Sequence, residues 1–374
     1  MTRQQTVLIT GGSGFIGANL VRLLIDEGKY RVVNLDALTY AANPLSLADL
    51  QGNPSYVFVK GNITDRELVS SLLAKYQPVG VLHLAAETHV DRSIVDAQDF
   101  IQTNVVGTYS MLEAARGYWM TLPAEQKGSF RFLHVSTDEV FGSLGDEGYF
   151  TEQTPYAPNS PYAASKAASD HFVRAFYHTY GLPTVTTNCS NNYGPYQFPE
   201  KMIPLMILNA LSGRPLPVYG DGSNVRDWIY VEDHCKALRV ALEKSKPGET
   251  YVVGANNERR NIDLVKQMCA ALDEIAPPAE VPQIHKRGLK SYLELIRFVE
   301  DRPGHDRRYA IDPVRIRREW GWQAEVPFEA GLRRTIEWYL SNPEWVDKAS
   351  GGSYGEWIEK NYAWRTERAG KESK

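Results

Sequence analysis

Cysteine is scarce: the 374 residues hold 3, at Cys189, Cys235 and Cys269. Thiols so few and so scattered exclude a disulfide framework and fit no zinc spacing. No pair of histidines shows metal-ligand spacing either, so no metal is expected. Long apolar runs are also missing. None approaches the ~18–20 residues of a membrane span, and the opening M-T-R-Q-Q-T-V-L-I-T runs into a strand-like segment without the apolar stretch of a signal peptide. Neither sign of charge is in excess. The 41 Lys+Arg against 45 Asp+Glu leave a net charge of −4, which offers no broad basic field for nucleic acid. Low-complexity tracts and internal repeats are absent. What is present is ordinary globular composition, 43% hydrophobic and 23% charged, which excludes a disordered chain. A chain this long buries roughly three quarters of its unfolded surface and divides into two domains. These features predict a soluble cytoplasmic protein of a reducing compartment, with the composition of an enzyme.

Short runs rich in Val, Leu, Ile and aromatics predict strands at Thr6–Thr10, Arg31–Leu35, Tyr56–Lys60, Gly80–Leu84 and Phe130–Ser136. Helical patterns separate them: Gly14–Glu27, Asp65–Tyr76, Phe100–Ala115 and Pro161–Tyr180. Near-continuous apolar strands alternating with helices imply a parallel sheet covered on both faces, an α/β, doubly wound fold of Rossmann type. After about Tyr193 the texture changes, with Gly and Pro punctuating Gly194–Gly222 and Pro277–Gly304. That predicts a smaller α+β substrate-binding domain with long loops. The expected division is a dinucleotide-binding domain over 1–188, with interleaved segments near 226–257 and 308–322, and a second domain mainly over 189–374. Thr250–Val253 reads as a late strand of the sheet, and the charged tail Thr366–Lys374 as frayed.

Three motifs carry chemistry. The first is Val7-Leu8-Ile9-Thr10-Gly11-Gly12-Ser13-Gly14-Phe15-Ile16-Gly17, which fits G-x-G-x-x-G and G-x-x-G-x-x-G at the end of a strand and the start of a helix. Such glycines permit a tight turn and let the backbone approach a pyrophosphate seated on the helix N-terminus. Asp36 follows Gly17 by 19 residues at the end of the second strand, where a carboxylate binds a ribose 2′-hydroxyl and repels a 2′-phosphate. NAD is therefore expected rather than NADP. Asn62-Ile63 and Leu84-Ala85-Ala86-Glu87-Thr88 end the next two strands and read as cofactor wall, although packing explains each equally well alone. The second motif is Tyr162-Ala163-Ala164-Ser165-Lys166, whose four-residue spacing puts phenol and ammonium on one helix face. A phenol working as a base near pH 7 needs its pKa lowered by about three units; a neighbouring ammonium and an oxidised nicotinamide act in that direction. On its own the spacing is also that of a surface pair. The third motif is Ser136-Thr137-Asp138-Glu139-Val140-Phe141-Gly142, just past the fifth strand. In a regular strand Asp138 and Glu139 point to opposite faces, so both reach one substrate only if the chain turns there. Adjacent shielded carboxylates repel, which raises one pKa and allows an acid and a base side by side. A solvated acidic turn is the plain alternative.

With these motifs the chain resembles the extended short-chain dehydrogenase/reductase family and, within it, the nucleotide-sugar 4,6-dehydratases. Ala86-Glu87-Thr88-His89-Val90-Asp91-Arg92-Ser93, Asn191 through Lys201 and Asp301-Arg302-Pro303-Gly304-His305-Asp306 carry the finer likeness, which runs from about Thr6 to Tyr362. Asn62 departs from the pattern, since many relatives carry Asp there. The resemblance implies an internal redox cycle on dTDP-glucose with bound NAD. Tyr162, assisted by Lys166 and Thr137, takes the proton of the 4-hydroxyl; Glu139 then removes the hydrogen on carbon 5 while Asp138 protonates the departing 6-hydroxyl. It adds Leu38, Thr39, Thr103 and Asn192 to the cofactor site. It places Thr88, Asn191, Glu200, Lys201, Pro217, Tyr219, Asn261, Asp301 and His305 around the nucleotide sugar. Arg226, in Gly220–Trp228, is the candidate for the diphosphate, because a guanidinium binds phosphate bidentately.

Other readings stay open at this point. A 4-epimerase of the same fold needs only the tyrosine, lysine and Ser/Thr, and the Asp138-Glu139 pair speaks against it. A dehydratase of GDP-mannose is expected to prefer NADP, against which Asp36 speaks; UDP- and CDP-sugars are further choices. A non-catalytic cofactor sensor is expected to have lost part of the set. The resemblance also implies a homodimer in which helices Phe100–Ala115 and Pro161–Tyr180 meet their copies, with Met111, Leu112, Phe172 and Phe176 contributing wherever they do not simply face the sheet.

Overall fold

The structure is a computed structural model that describes residues 4–351; the tail Thr366–Lys374 lies outside the described residues. Its main sheet has seven strands in the order β10-β6-β5-β4-β1-β2-β3. These are β1 Gln5–Thr10, β2 Tyr30–Asp36, β3 Tyr56–Lys60, β4 Gly80–His83, β5 Arg131–Thr137, β6 Thr184–Cys189 and β10 Thr250–Val253. Every pairing within it is parallel. The reason is visible in β1. Val7 and Ile9 join one apolar cluster and Leu8 the opposite one, since successive side chains point to opposite faces. A strand buried on both sides must be apolar throughout, which is why it reads as an unbroken run.

Helices Phe15–Asp26 and Val231–Lys244 cover the first face through Leu20, Val21, Cys235 and Leu238. Arg66–Tyr76, Thr108–Thr121 and Pro161–Tyr180 cover the second through Leu72, Met111, Leu112, Val173 and Phe176. Met111, Leu112 and Phe176 are thus buried against the sheet and unavailable to a second copy, unlike Phe172, which is 40% exposed. The helix expected over Phe100–Ala115 begins with a π-helical stretch, Ile101–Gly107, and continues to Thr121. A π turn sets Asn104 inward, where its side chain bonds both the N–H and the carbonyl of Glu87, at 2.9 Å each, and the Ser165 hydroxyl at 2.8 Å.

Beyond β6 the chain builds two small sheets. One joins β7 Asn191–Tyr193, β9 Val225–Tyr230 and β11 Glu258–Arg260; the other joins β8 Leu216–Tyr219 and β12 Ile296–Val299. A separate core containing Tyr193, Ile207, Trp228, Met268 and Phe328 supports them. Strand order in the main sheet reverses between β1 and β4, so a crevice opens at their carboxyl ends. The candidate site lies there.

Candidate active site

The crevice floor is the turn after β1. Gly11 has φ +71°, and a Cβ on it would sit 2.7 Å from the Ala85 nitrogen; one on Gly17 would sit 2.1 Å from the Gly11 carbonyl oxygen. Only glycine lets the turn, the β4 loop and the helix start approach this closely. The helix Phe15–Asp26 begins after Gly14 with no side-chain cap, so its first N–H groups point into the crevice. Asp36 accepts from the Ser13 N–H at 2.8 Å and from the Leu38 N–H at 2.8 Å, and burial raises its pKa. Apart from Leu38, every residue assigned to the cofactor from sequence lines one cavity, together with Thr137, Glu139, Asn191, Glu200 and Lys201. Leu38, at φ +54°, supplies only its backbone to Asp36.

The catalytic candidates meet at the end of β5. The strand stops at Thr137, and Asp138–Phe141 forms a 3₁₀ turn closed by Gly142 at φ +84°. The turn required by the adjacent carboxylates is therefore present. Thr137 Oγ1 accepts from the Glu139 N–H and donates to Asp138 Oδ1, both at 3.3 Å. Burial, then Glu139 and Asp227, push the Asp138 carboxyl well above its ordinary range. Burial also raises Glu139, but Arg302, Lys201 and Arg226 pull it back. Of the two, Asp138 is the one suited to hold a proton and Glu139 the one suited to accept one.

Tyr162 lies one residue into the helix capped by Ser160, whose hydroxyl accepts from the Ala163 N–H at 3.1 Å. Lys166 follows one turn later and donates to the Val135 carbonyl at 2.9 Å. Burial holds the Tyr162 phenol well above its usual pKa, Glu139 adds to this, and the hydrogen bond with Thr137 opposes it. Burial thus outweighs the lowering in the protein alone, and the phenol is held in its protonated form.

Pro217, Tyr219, Arg226, Asn261, Asp301 and His305 lie outside that cavity's wall, on β8, β9, the first residue of the helix Asn261–Ile275 and the loop after β12. Arg226 is buried, stacks 4.1 Å from the centre of the Tyr309 ring, and donates to the carbonyls of Val225 and Asp306 at 2.8 and 2.9 Å. Asp301 and His305 pair at 2.6 Å, with Tyr219 edge-on to the imidazole. Among the described residues, the Oδ1 atoms of Asn191 and Asn261 are buried without a hydrogen-bond partner. Glu200 accepts from Tyr40 at 3.1 Å and Arg92 at 3.3 Å, while Lys201 donates to the Thr88 carbonyl at 2.6 Å. His89 is buried and caps the helix Val90–Val95 by accepting from the Arg92 N–H at 3.2 Å.

Sequence reasoning passed over several residues that shape the site. Arg302 faces Glu139 and donates to Asp91 at 3.2 Å, and the Tyr219 hydroxyl donates to the same carboxylate at 2.9 Å. Arg302 and Asp91 both lay inside quoted motifs, but nothing in spacing joins them. Glu87, read from sequence only as part of the cofactor wall, lines the cavity with its carboxyl pushed up to about 7 by burial and then by Glu200.

A family model described as GDP-mannose 4,6 dehydratase matches residues 8–335. The dTDP-glucose 4,6-dehydratase of Xanthomonas campestris pv. campestris is 58% identical over 349 residues, which are 93% of this chain and 97% of the relative. The dTDP-glucose 4,6-dehydratase 1 of Escherichia coli K12 is 55% identical over 368 residues, 96% and 99% of the two chains. The chain belongs to the dTDP-glucose 4,6-dehydratase family. A structure of the Streptomyces venezuelae dTDP-glucose 4,6-dehydratase, with NAD and TYD bound, matches with a TM-score of 0.81 at 42% identity, covering 92% of this chain and all of that one. Membership accounts for the carboxylate turn, which a tyrosine–lysine–threonine epimerase does not need.

Proposed function

We propose that the protein is an NAD-dependent dTDP-glucose 4,6-dehydratase, releasing water and forming dTDP-4-keto-6-deoxyglucose. The observation that carries this is the turn at Asp138, which sets a proton-holding carboxyl and a cation-ringed carboxylate beside Tyr162. The glycine cradle, closed to any Cβ at Gly11 and Gly17, and Asp36 at the end of β2 fit NAD. NAD held by this cradle and Asp36 would supply the hydride acceptor for carbon 4 and the hydride donor for carbon 6. Tyr162 takes the 4-hydroxyl proton, Lys166 supplies positive charge, and Thr137 fixes the phenol. The ketone at carbon 4 acidifies the neighbouring hydrogen, which Glu139 removes while Asp138 protonates the 6-hydroxyl as it leaves. Arg226 and Lys201 supply cations for the diphosphate, and the orphaned amide oxygens of Asn191 and Asn261 are acceptors awaiting donors from substrate.

The functional division follows the same lines. Residues 1–188, with the returning segments near 226–257 and 308–322, hold the cofactor, and the rest mainly holds the nucleotide sugar. The return of β10 and of the helix Val231–Lys244 to the main sheet supports this. We place the chain in a homodimer, supported by exposed Tyr109 and Phe172, whose rings lie 6.1 Å apart on neighbouring helices. A cytoplasmic location accords with three free cysteines. Incubating the purified protein with dTDP-glucose and no added reductant tests the reading: the 4-keto sugar is expected. Turnover of GDP-mannose instead, or release of a 4-epimer, would overturn it.

A further inference from the structure

One turn beyond Lys166 the same helix buries another ionisable residue, Asp170, at 3% exposure. Its Oδ2 accepts from Ser136 Oγ at 2.8 Å, the Tyr156 hydroxyl at 2.9 Å and Asn188 Nδ2 at 3.2 Å. Its Oδ1 lies 3.0 Å from His134 Nε2. These partners tie the carboxylate to the strand that ends in Thr137. Ser136 and His134 stand on β5 itself, and Asn188 Nδ2 also donates to the Thr137 carbonyl at 3.1 Å. Lys166 reaches the same strand at the Val135 carbonyl.

The charge balance around Lys166 runs through this residue. Burial drives a lysine towards its neutral form, and among the described residues the first group opposing that is Asp170, followed by Cys189. The other titratable neighbours carry little charge near pH 7. On β4, burial, then His134 and Lys166, hold His83 well below its ordinary pKa. On β5, burial and Lys166 lower His134 to about 4. Burial pushes the Cys189 thiol on β6 up to about 12 and holds the phenols of Tyr156 and Tyr162 protonated. Burial alone would raise Asp170 as well, yet His134, Lys166 and Ser136 keep it below the usual carboxylate range.

We propose that Asp170 is a positioning residue for the reaction set out above: its carboxylate keeps Lys166 an ammonium and locks the Tyr162–Lys166 helix to the strand end bearing Thr137. The proposal rests on Tyr162 acting as the base and on Lys166 supplying its positive charge.

The test is Asp170→Asn, read in two ways. In protein labelled at lysine Cε and free of cofactor, the Lys166 resonance is assigned by its loss in Lys166→Met and titrated by NMR. Its midpoint is expected to fall by about one unit or more, because the balancing anion is gone. In single turnover with dTDP-glucose, the alkaline limb of the rate of NADH-band appearance is expected to move to lower pH by the same amount. There kcat should fall about tenfold or more at unchanged KM, and Asp170→Glu should recover part of it. A folded Asn variant with the wild-type midpoint and the wild-type alkaline limb would overturn the proposal. Should that variant not fold, Asp170→Ser removes the charge with one rotatable hydroxyl donor in place of the amide's two and is held to the same two outcomes. Wild-type protein that makes no keto sugar defeats the reaction reading alone, since the NMR midpoint needs no substrate and still decides the role of Asp170.

Discussion

Replacing Asp138 with Asn should weaken catalysis and change stability in a pH-dependent way, and both follow from where the carboxyl sits. Asp138 is 1% exposed; its Oδ2 has no hydrogen-bond partner among the described residues, and its Oδ1 has only the 3.3 Å contact with Thr137. Burial, Glu139 and Asp227 raise its pKa well above the ordinary value. The folded chain therefore keeps a proton that the unfolded chain gives up above about pH 4. Stability falls wherever the folded state binds more protons than the unfolded one, by about 1.4 kcal/mol per pH unit for a single group. The loss begins above the unfolded pKa and continues until the folded carboxyl ionises too. An amide has no proton to lose on unfolding, so the variant escapes that slope.

Against this stands a constant cost. The amide carries two donors where the protonated carboxyl carries one, at a position where Oδ2 already has no hydrogen-bond partner, worth about 1–3 kcal/mol at any pH. The variant should match or trail wild type at pH 5, then gain on it up to pH 8 at as much as ~1.4 kcal/mol per unit. Urea unfolding across that range measures the difference directly. In the same variant, hydride transfer should survive while water loss slows by about 10²–10⁴-fold, the usual worth of a general acid. The NADH absorbance band reports the first step and product formation the second. A stability difference that stays flat with pH would mean that Asp138 ionises normally and cannot be the acid. Loss of hydride transfer as complete as in Tyr162→Phe, with sugar still bound, would refute the division of roles.

Tyr162→Phe should abolish every step, with no NADH band on adding dTDP-glucose and no solvent deuterium at carbon 5; Glu139→Gln should keep the band and lose the deuterium. Asp36→Ala strips the acceptor from the Ser13 and Leu38 N–H groups, so it should cost roughly 2–6 kcal/mol in thermal or urea unfolding. Cofactor content after reconstitution should also show relaxed discrimination against NADP, and an unchanged preference would remove Asp36 from the ribose. Gly17→Ala puts a methyl group 2.1 Å from the Gly11 carbonyl oxygen and should weaken NAD binding by about tenfold or more in a fluorescence titration, because the helix start must move. Phe172→Glu places a charge on the exposed ring cluster with Tyr109 and should yield monomers by light scattering at micromolar concentration.

Legibility in this chain follows the distance over which each feature is decided. β3 and the helix Pro161–Tyr180 were readable to the residue because their limits are local: Ser160 caps the helix start, Pro161 opens it, and Gly181 at φ +73° ends it. The doubly wound sheet was readable because strands buried on both faces cannot hide their apolar runs. The π turn at Ile101–Gly107 was not, since one inserted residue barely disturbs a 3.6-residue pattern. Apolar periodicity also says that a helix face is buried without saying against what, so Met111 and Leu112 read equally as dimer contacts or as sheet cover, and they cover the sheet.

The same rule divides the candidate site. Tyr162 and Lys166, or Asp138 and Glu139, are neighbours in the chain, and their spacing carries their chemistry. The groups that aim them are paired at long range: Asp91 with Arg302 across 211 residues, Asn104 with Ser165 across 61, and Asp170 with Ser136 across 34. No spacing announces such pairs. Yet the separation of acid from base at Asp138 and Glu139 depends on them, because adjacent carboxylates alone would share a proton without preference. Here Arg302, held by Asp91 from the far side of the crevice, joins Lys201 and Arg226 in drawing Glu139 towards its ionised form. Burial, then Glu139 and Asp227, draw Asp138 towards its protonated form. The motif supplies two carboxyls; the tertiary fold decides which of them is the better proton holder, and the proposed acid is chosen on that ground.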